Sequence, residues 1–241
     1  MNPLDKTDHR PWPLPRRPWI MEQVWRDLLF THWDFPADQI RSLVPPSLQL
    51  DTFGGRAWVS ITPFHMSIRP RGLPVPPGLS RVLEMNCRTY VVAEGKPGIY
   101  FFSLDTISRL AVLGGRLFYL LPYFLADMRI EKRGDVFSYS SRRGDAWWRC
   151  EYGPQSAPTP AAPGSLNHWL TERYCLYTVH NGRTYRGDIH HVPWPLQEAS
   201  AHIHENTVFK HATREMLVSS APPAFSKELR VLIWPLERLR L

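Results

Sequence analysis

Residues 82–104 read VLEMNCRTYVVAEGKPGIYFFSL, and the fold class follows from this stretch. Residues 82–93 and 99–104 are rich in β-branched and aromatic side chains, which favour strands. Between them lies Glu94-Gly95-Lys96-Pro97-Gly98, a cluster of residues that form tight turns. The stretch therefore predicts a β-hairpin.

The same order of strand, turn and strand recurs along the chain. Turn residues at Gly54-Gly55, Arg133-Gly134-Asp135 and Asn181-Gly182 each separate two strand-like segments. Those segments are 48–53 and 56–68, 124–131 and 136–141, and 173–180 and 184–192, and further strands are indicated at 24–33 and 228–235. Many strands at short spacing, without a βαβ rhythm, predict an antiparallel β-rich barrel or sandwich.

Helices are few and the chain shows no internal break in composition. Short helices are predicted at 36–43 and 165–171, and one longer helix at 107–121. Residues 1–20 are rich in proline and cannot form a core of their own. We therefore expect a proline-rich N-terminal arm, 1–20, lying on the surface of a single domain that spans 21–241.

Composition and charge argue against several classes of function. The net charge is +7 and comes almost wholly from arginine, but the basic residues are dispersed, so no nucleic-acid surface is predicted. No apolar run reaches the about 18 residues of a membrane span, and residues 1–17 lack the apolar segment of a secretory signal. Cys87, Cys150 and Cys175 form no CxxC pair, which indicates buried reduced thiols. We expect a cytoplasmic protein with no membrane partner.

The most informative polar pattern lies on the strand predicted at 82–93. Glu84, Asn86, Arg88 and Tyr90 recur at period two, so their side chains point to one face of the sheet. Two interpretations are open: a solvated outer face, or the lining of a pocket inside a barrel. In the second, Glu84 and Arg88, about 13 Å apart along the strand, act on different parts of one pocket.

Other reactive residues give weaker indications. Glu172 and Arg173 are adjacent, and on a strand they face opposite ways, so only one of them can enter a given pocket. The pairs His190-His191 and His202 with His204 lack any established metal-ligand spacing, so no metal site is predicted. The sequence contains neither a nucleophile elbow nor a glycine-rich phosphate loop.

Six sequence motifs, taken in order, resemble the bacterial YqjF-like family, and together they cover roughly residues 24–238. They are Leu29-Phe30-Thr31-His32-Trp33 with Leu43-Val44-Pro45, residues 51–59 with Trp58, Glu84-Met85-Asn86-Cys87-Arg88-Thr89-Tyr90-Val91, Phe101-Phe102-Ser103-Leu104-Asp105, Leu170-Thr171-Glu172-Arg173-Tyr174 and His191-Val192-Pro193-Trp194-Pro195-Leu196. No established activity comes with this family. Its wider superfamily resembles acetoacetate decarboxylase, whose fold is a cone-like antiparallel β-barrel around a pocket. The resemblance implies that barrel here and an inward-pointing Glu84 face.

Acetoacetate decarboxylases act through a lysine that forms a Schiff base, one of a lysine pair that follows a proline shortly after Gly-Arg. Here Gly115-Arg116 is followed by Leu121-Pro122-Tyr123-Phe124, so Tyr123-Phe124 stand where the resemblance places the lysine pair. The lysines of this chain are Lys6, Lys96, Lys132, Lys210 and Lys227, and none matches the motif. We therefore expect no decarboxylation through an imine.

What the resemblance leaves is a pocket with Glu84 near one of the decarboxylase's pocket glutamates and Tyr123 in place of the amine. Glu84 can act as a base and Tyr123 as a hydrogen-bond donor or acid. The candidate ligand-binding residues are Arg88, Arg116, Glu172, Arg173 and His191. The expected ligand is an organic anion or a carbonyl compound, with no cofactor and no metal.

Two functions are open on this basis. One is a cofactor-independent lyase, hydratase, isomerase or hydrolase that acts on a small carboxylate or carbonyl compound. The other is a non-catalytic sensor or carrier that uses the same pocket. Both are compatible with a homo-oligomer.

Overall fold

The computed structural model describes residues 3–209 and 214–240, and within these ranges it contains thirteen strands and three α-helices. The strands are β1 (Met21–Pro36), β2 (Gln49–Leu50), β3 (Arg56–Pro70), β4 (Val82–Ala93), β5 (Lys96–Thr106), β6 (Tyr123–Leu125), β7 (Asp127–Arg133), β8 (Val136–Arg143), β9 (Ala146–Pro154), β10 (Cys175–His180), β11 (Arg183–His190), β12 (Gln197–Asn206) and β13 (Ala224–Arg238). The helices are α1 (Ala37–Arg41), α2 (Arg109–Phe118) and α3 (Leu166–Thr171), with 3-10 turns at Pro3–Asp5 and Arg214–Leu217. None of the described helices has the length and hydropathy that a bilayer crossing requires.

Seven strands close into a barrel in the order β1-β3-β4-β5-β10-β11-β13, and β13 pairs with β1 to complete it. The closing pair is antiparallel and runs from Met21 opposite Ile233 to Phe30 opposite Ala224. The structure thus confirms the predicted mainly β fold, a barrel with few helices. Because the sheet closes on itself, each barrel strand has one face toward the interior and one toward the outside.

Turn chemistry explains the hairpins that build the barrel. Glu94-Gly95 joins β4 to β5 and Asn181-Gly182 joins β10 to β11. All four residues have positive φ, between 50° and 69°, which matches a two-residue turn to the twist of antiparallel strands. Both predicted hairpins are confirmed, as is the hairpin of β7 and β8 around Gly134.

The strand pairing differs from the sequence prediction at two places. The Gly54-Gly55 turn closes only a single bridge, between Phe53 and Arg56, because β2 pairs with β4 and not with β3. In addition, β5 pairs in parallel with β10 over two residues and with β6 over three. Both differences come from contacts between segments distant in sequence, which a local turn signal does not reveal.

A second group of strands, β12, β9, β8 and β7, extends from β13 in that order and covers part of the barrel. The Tyr139 hydroxyl of β8 donates hydrogen bonds to the backbone carbonyls of Phe64 and Glu84 at 3.2 and 2.9 Å. Met85 and Cys87 of β4 share a hydrophobic core with the residues of this extension. Strand β4 is therefore buried on both faces, with the core on one side and the barrel interior on the other.

Helix α2 packs against β5 and β6 and begins later than predicted. Ser108 caps it, since its Oγ accepts a hydrogen bond from the Ala111 amide. Gly115 lies directly against Tyr123, where a Cβ atom would stand 2.2 Å from a ring carbon. Only glycine permits this approach, so the helix is held at a fixed distance from Tyr123.

Residues 3–20 run along the outside of β11 and β13 as an arm with little secondary structure. Arg10 is buried there and donates a hydrogen bond to the Ile189 carbonyl at 2.7 Å. Further along, the Trp234 indole donates to the Arg17 carbonyl, also at 2.7 Å. These hydrogen bonds hold the arm against β11 and β13, which are strands of the barrel.

The two adjacent glycines of α2 give a matched test of this packing. Gly115→Ala places a methyl group inside the Tyr123 ring contact, and we expect it to lower the free energy of unfolding by about 1–3 kcal/mol. At Gly114 a Cβ atom meets nothing within 4 Å, so Gly114→Ala gains helix propensity and should raise stability by up to about 1 kcal/mol. Urea denaturation measures both, and equal stability of the two variants would contradict the packing described.

Candidate functional site

The barrel strands and α2 enclose a cavity of 280 Å³. Most of its walls are apolar, with aromatic side chains from β1, β3 and β5 among them. Its ionisable and hydrogen-bonding side chains include Glu84, Asn86, Arg88, Thr171, Arg173 and His191. Strand β4 contributes the first three because its period-two face points inward.

Glu84 and Tyr123 form a hydrogen-bonded pair in this cavity. The Tyr123 hydroxyl donates to Glu84 Oε2 at 2.7 Å. Burial raises the pKa of Glu84 to about 7, although hydrogen bonds from Tyr123 and Asn86 act to lower it. Burial and the neighbouring Glu84 raise the pKa of Tyr123 well above its ordinary value of 10, so the phenol keeps its proton. The carboxyl group can therefore take up and release a proton near neutral pH.

Arg88 lies in the same cavity and is only 6% exposed. Its Nε is buried without a hydrogen-bond partner, and no carboxylate among the described residues pairs with its guanidinium. The guanidinium lies over the Phe30 ring, 5.5 Å from the centroid. Its charge also acts on His32, whose pKa is lowered to about 3 by burial and by Arg88. Since a buried unpaired charge costs several kcal/mol, Arg88 is suited to hold an anionic group.

Arg173 also lines the cavity, but its charge is balanced. Its Nη1 donates to Asp51 Oδ2 and its Nε to the Trp169 carbonyl, both at 2.6 Å. The guanidinium lies over the Tyr90 ring, 5.0 Å from the centroid, and Tyr90 follows Arg88 on the same face of β4. Its Nη2 is buried without a partner and can still donate hydrogen bonds. Arg88 and Arg173 together form the basic end of the cavity.

His191 lies at the edge of that basic end and is buried. Its ring nitrogens face the carbonyls of Val192 and Arg173 at 2.8 and 3.4 Å, and the ring stacks on Tyr174. Burial lowers the pKa of His191 below its ordinary value of 6.5, so the ring is neutral at pH 7. It can offer a ligand a packing surface but no charge. Its role in binding stays a prediction.

Two of the residues predicted to bind the ligand do not reach the cavity. Arg116 lies one helix position beyond Gly115, on a different side of α2, and its Nε donates to the Tyr123 carbonyl at 2.8 Å. The Glu172 carboxylate accepts hydrogen bonds from the Tyr174 hydroxyl and the Trp194 amide. Arg116 and Glu172 are therefore corrected to residues that position Tyr123 and Trp194 from outside.

The contribution of α2 to the cavity wall was not predicted from the sequence. Leu110, Ala111, Gly114 and Phe118 line the cavity beside Gly115. The sequence did contain a signal for this second contact. A helix with one buried face needs only one apolar stripe, whereas apolar residues lie on several sides of α2. Trp194, within one of the six motifs, is also part of the wall.

Residues 22–229 match the family DUF2071, described as an uncharacterized conserved protein. The chain belongs to this family. The uncharacterized protein YqjF of Bacillus subtilis (strain 168) is 49% identical over 224 residues, which is 91% of this chain and 93% of that protein. The resemblance to the YqjF-like family is thus confirmed.

Solved structures with the same architecture include two enzymes. The acetoacetate decarboxylase of Legionella pneumophila matches with a TM-score of 0.59 at 12% identity, over 97% of this chain and 95% of that one. The enduracididine biosynthesis enzyme MppR, complexed with pyruvate, matches with a TM-score of 0.60 at 10% identity, over 96% and 93%. At these identities the likeness shows the fold alone. This DUF2071 chain therefore has the acetoacetate-decarboxylase-like barrel.

No lysine among the described residues lines the cavity of this DUF2071 chain. Lys6, Lys96, Lys132 and Lys227 all lie elsewhere, and Lys210 lies outside the described residues. The place beside Gly115 is taken by Tyr123, whose hydroxyl points to Glu84. The absence of imine chemistry stays a prediction, and this geometry supports that prediction.

The histidine pairs considered for a metal have other contacts. Within the described ranges, no three His, Cys, Asp or Glu side chains are arranged to hold a metal ion. His190 contacts the Arg10 guanidinium and the Pro3 carbonyl, and the rings of His202 and His204 contact each other at 4.5 Å.

The raised pKa of Glu84 predicts how stability depends on pH. Between its ordinary pKa of 4.5 and about 7, folded Glu84 holds a proton that the unfolded chain has lost, so stability falls as pH rises through this window. Glu84→Gln should remove this pH dependence, which is a change on the order of 3 kcal/mol in the free energy of unfolding. Urea denaturation of both proteins at several pH values from 4.5 to 7.5 measures the difference.

The exposed Glu198→Gln variant serves as the control and should keep the wild-type dependence. If Glu84→Gln and wild type show the same fall in stability, Glu84 does not titrate near neutral pH and cannot be the base.

Proposed function

We propose that this DUF2071 protein binds a small organic carboxylate in its barrel and transfers a proton to or from it, with Glu84 as the base and without a Schiff base. One observation carries the proposal. One cavity holds both a buried guanidinium, Arg88, that pairs with no carboxylate of the described residues, and a carboxyl group with a pKa of about 7, Glu84.

Arg88 accounts for the anionic part of the ligand. A guanidinium pairs with a carboxylate through two parallel hydrogen bonds, and its Nε is among the donors without a partner. The neighbouring Arg173 already pairs with Asp51, so it adds hydrogen bonds from its free N–H groups but no unpaired charge. MppR, which shares the fold, has been solved with pyruvate, and this supports an organic acid as the ligand class.

Glu84 accounts for the reaction. As a carboxylate it accepts a proton from a carbon or a water molecule of the bound complex, and as an acid it returns that proton later in the cycle. Tyr123 donates a hydrogen bond to Glu84 and so fixes the orientation of the carboxyl group. Lyases, hydratases and isomerases of carbonyl acids all include such a proton transfer, and the cavity distinguishes none of them.

The cell compartment follows from the cysteines. Cys87, Cys150 and Cys175 are each buried and unpaired, and burial raises the pKa of each thiol. Inert thiols of this kind support a reducing compartment, so we propose the cytoplasm.

A sensor or carrier function uses the same geometry without the proton transfer. The apolar walls around the basic end are compatible with this second candidate too, because they can hold an organic acid whether or not it reacts. The two functions share the Arg88 contact and differ only in whether Glu84 exchanges a proton with the ligand.

Arg88→Met tests the binding step. Because Arg88 is a buried charge without a partner, we expect the ligand-free variant to be more stable than wild type by on the order of 1 kcal/mol. Saturating butyrate or acetoacetate should raise the melting temperature of wild type and leave that of the variant unchanged. Arg173→Met is the matched control and should destabilise the protein, because it leaves Asp51 without its partner. A destabilised Arg88→Met variant that still binds the acids would show that Arg88 is structural.

Deuterium exchange tests the proton transfer without knowledge of the product. In D₂O, wild type should catalyse exchange of a carbon-bound hydrogen in at least one member of a panel of keto acids, read by proton NMR. Glu84→Gln should abolish the exchange, and Tyr123→Phe should lower its rate constant more than it weakens binding, because the hydrogen bond to Glu84 is lost. Acids that bind to wild type without any exchange would favour the sensor or carrier.

A further inference from the structure

The walls of the cavity are far more apolar than a small keto acid requires. Trp25, Phe64, Phe101, Leu104, Ile189 and Trp194 all line it, whereas its charged groups lie on β4 and at Arg173. A two- or three-carbon acid held at Arg88 is too small to contact all of these side chains. Apolar cavities in proteins are poorly hydrated and bind apolar groups, so these walls point to a hydrocarbon part of the ligand.

The separation of the charged groups gives the ligand its length. The Cα atoms of Glu84 and Arg88 are about 13 Å apart along β4. In agreement with this separation, Arg88 is not among the groups that shift the pKa of Glu84. A ligand that pairs with Arg88 and also reaches the Glu84–Tyr123 pair is therefore elongated. The volume of 280 Å³ corresponds to about nine groups of the size of a water molecule, which sets an upper bound near octanoate, a carboxylate with a seven-carbon tail.

The chain of such a ligand can extend along α2. Gly115 of α2 contacts Tyr123, so the Glu84–Tyr123 pair lies at the helix side of the cavity. The next wall residue, Gly114, has no atom within 4 Å of the place where its Cβ would stand. No protein atom therefore fills the space in front of Gly114, which lines the cavity.

The helix also marks the mouth of the cavity. Leu110 and Phe118 line the cavity, yet they are 56% and 72% exposed to solvent. Side chains that face both the cavity and the solvent form its rim. The rim is apolar, so it is suited to admit a hydrocarbon chain and to remain in contact with its end.

We propose that the natural ligand is an elongated carboxylate with an unbranched apolar tail of about four to seven carbons, bound with its carboxylate on Arg88 and its tail under α2. Gly114 sets the length of tail that fits. This inference rests on the proposed binding of a carboxylate at Arg88 and adds the chemical class of the rest of the molecule. The carbon that Glu84 reaches is then several bonds away from the carboxylate, so a carbonyl group next to that carbon, and not the carboxylate, must make its hydrogen acidic.

A chain-length series tests the proposal by isothermal titration calorimetry with acetate, butyrate, hexanoate and octanoate. Wild type should bind each acid more tightly than the last, by about fourfold per added methylene, until the chain fills the cavity near octanoate. Hexanamide has the same shape without the charge, and it should bind at least tenfold more weakly than hexanoate. An affinity that does not change with chain length overturns the inference while the carboxylate site stands. If no acid of any length binds, the proposed function fails as well.

Gly114→Leu tests where the tail lies. The added side chain occupies the open space under α2, so octanoate should lose at least tenfold in affinity and butyrate less than threefold. Leu113→Ala changes the preceding residue, which is exposed and does not line the cavity, and should leave every affinity unchanged. Equal losses for octanoate and butyrate in Gly114→Leu would place the tail elsewhere and overturn the proposal. The wild-type series decides the tail's existence even where this variant fails to fold.

Discussion

Strand β4 is buried on both of its faces, and the placement of the candidate site residues depends on that constraint. Its outer face, with Met85 and Cys87, packs into the core beneath the second group of strands. Its inner face points into the barrel, so Glu84, Asn86 and Arg88 are buried in the cavity beside apolar side chains. Burial raises the pKa of Glu84 to about 7, and in the described part of the chain the buried Arg88 pairs with no carboxylate.

The features that local chemistry determines were predictable from the sequence. The period-two alternation of β4 and the turns at Glu94-Gly95 and Asn181-Gly182 predicted the hairpins and the antiparallel barrel. Strand β9 was missed, although Trp148, Cys150 and Tyr152 alternate with exposed residues as a half-buried strand requires. Its alternation was hidden in a segment that also carries many charges. The pairing of β2 with β4 had no local signal at all, because it depends on how the barrel closes.

The candidate site was predictable in part for the same reason. Glu84 and Arg88 share a strand, so their common face followed from the alternation. The position of Arg116 depends on the rotation of α2, which is set by the contact of Gly115 with Tyr123. Glu172 and Arg173 were expected on a strand, but both precede β10, and only Arg173 turns into the cavity. Contacts between distant segments decide these orientations, and the pattern of one segment does not contain them.

This protein shares its fold with a decarboxylase but lacks the lysine on which that enzyme's reaction depends. The chain shares the barrel of an acetoacetate decarboxylase at 12% identity, yet Tyr123 stands where the motif resemblance places the reactive lysine. An amine whose pKa is lowered by a neighbouring cation forms an imine, whereas a phenol beside a carboxyl group can only donate a hydrogen bond or a proton. In the proposed function, Arg88 binds the ligand and Glu84 transfers the proton. A shared barrel therefore does not imply a shared reaction.

The central claim is that Arg88 holds the carboxylate of a ligand whose chain passes the Glu84–Tyr123 pair. A crystal structure of the protein grown with hexanoate tests it most directly. The account predicts electron density for the carboxylate in two-point contact with the Arg88 guanidinium, and for the chain between Tyr123 and Gly114. A carboxylate bound elsewhere in the cavity, or a cavity without hexanoate at a concentration that saturates binding in solution, would contradict the account.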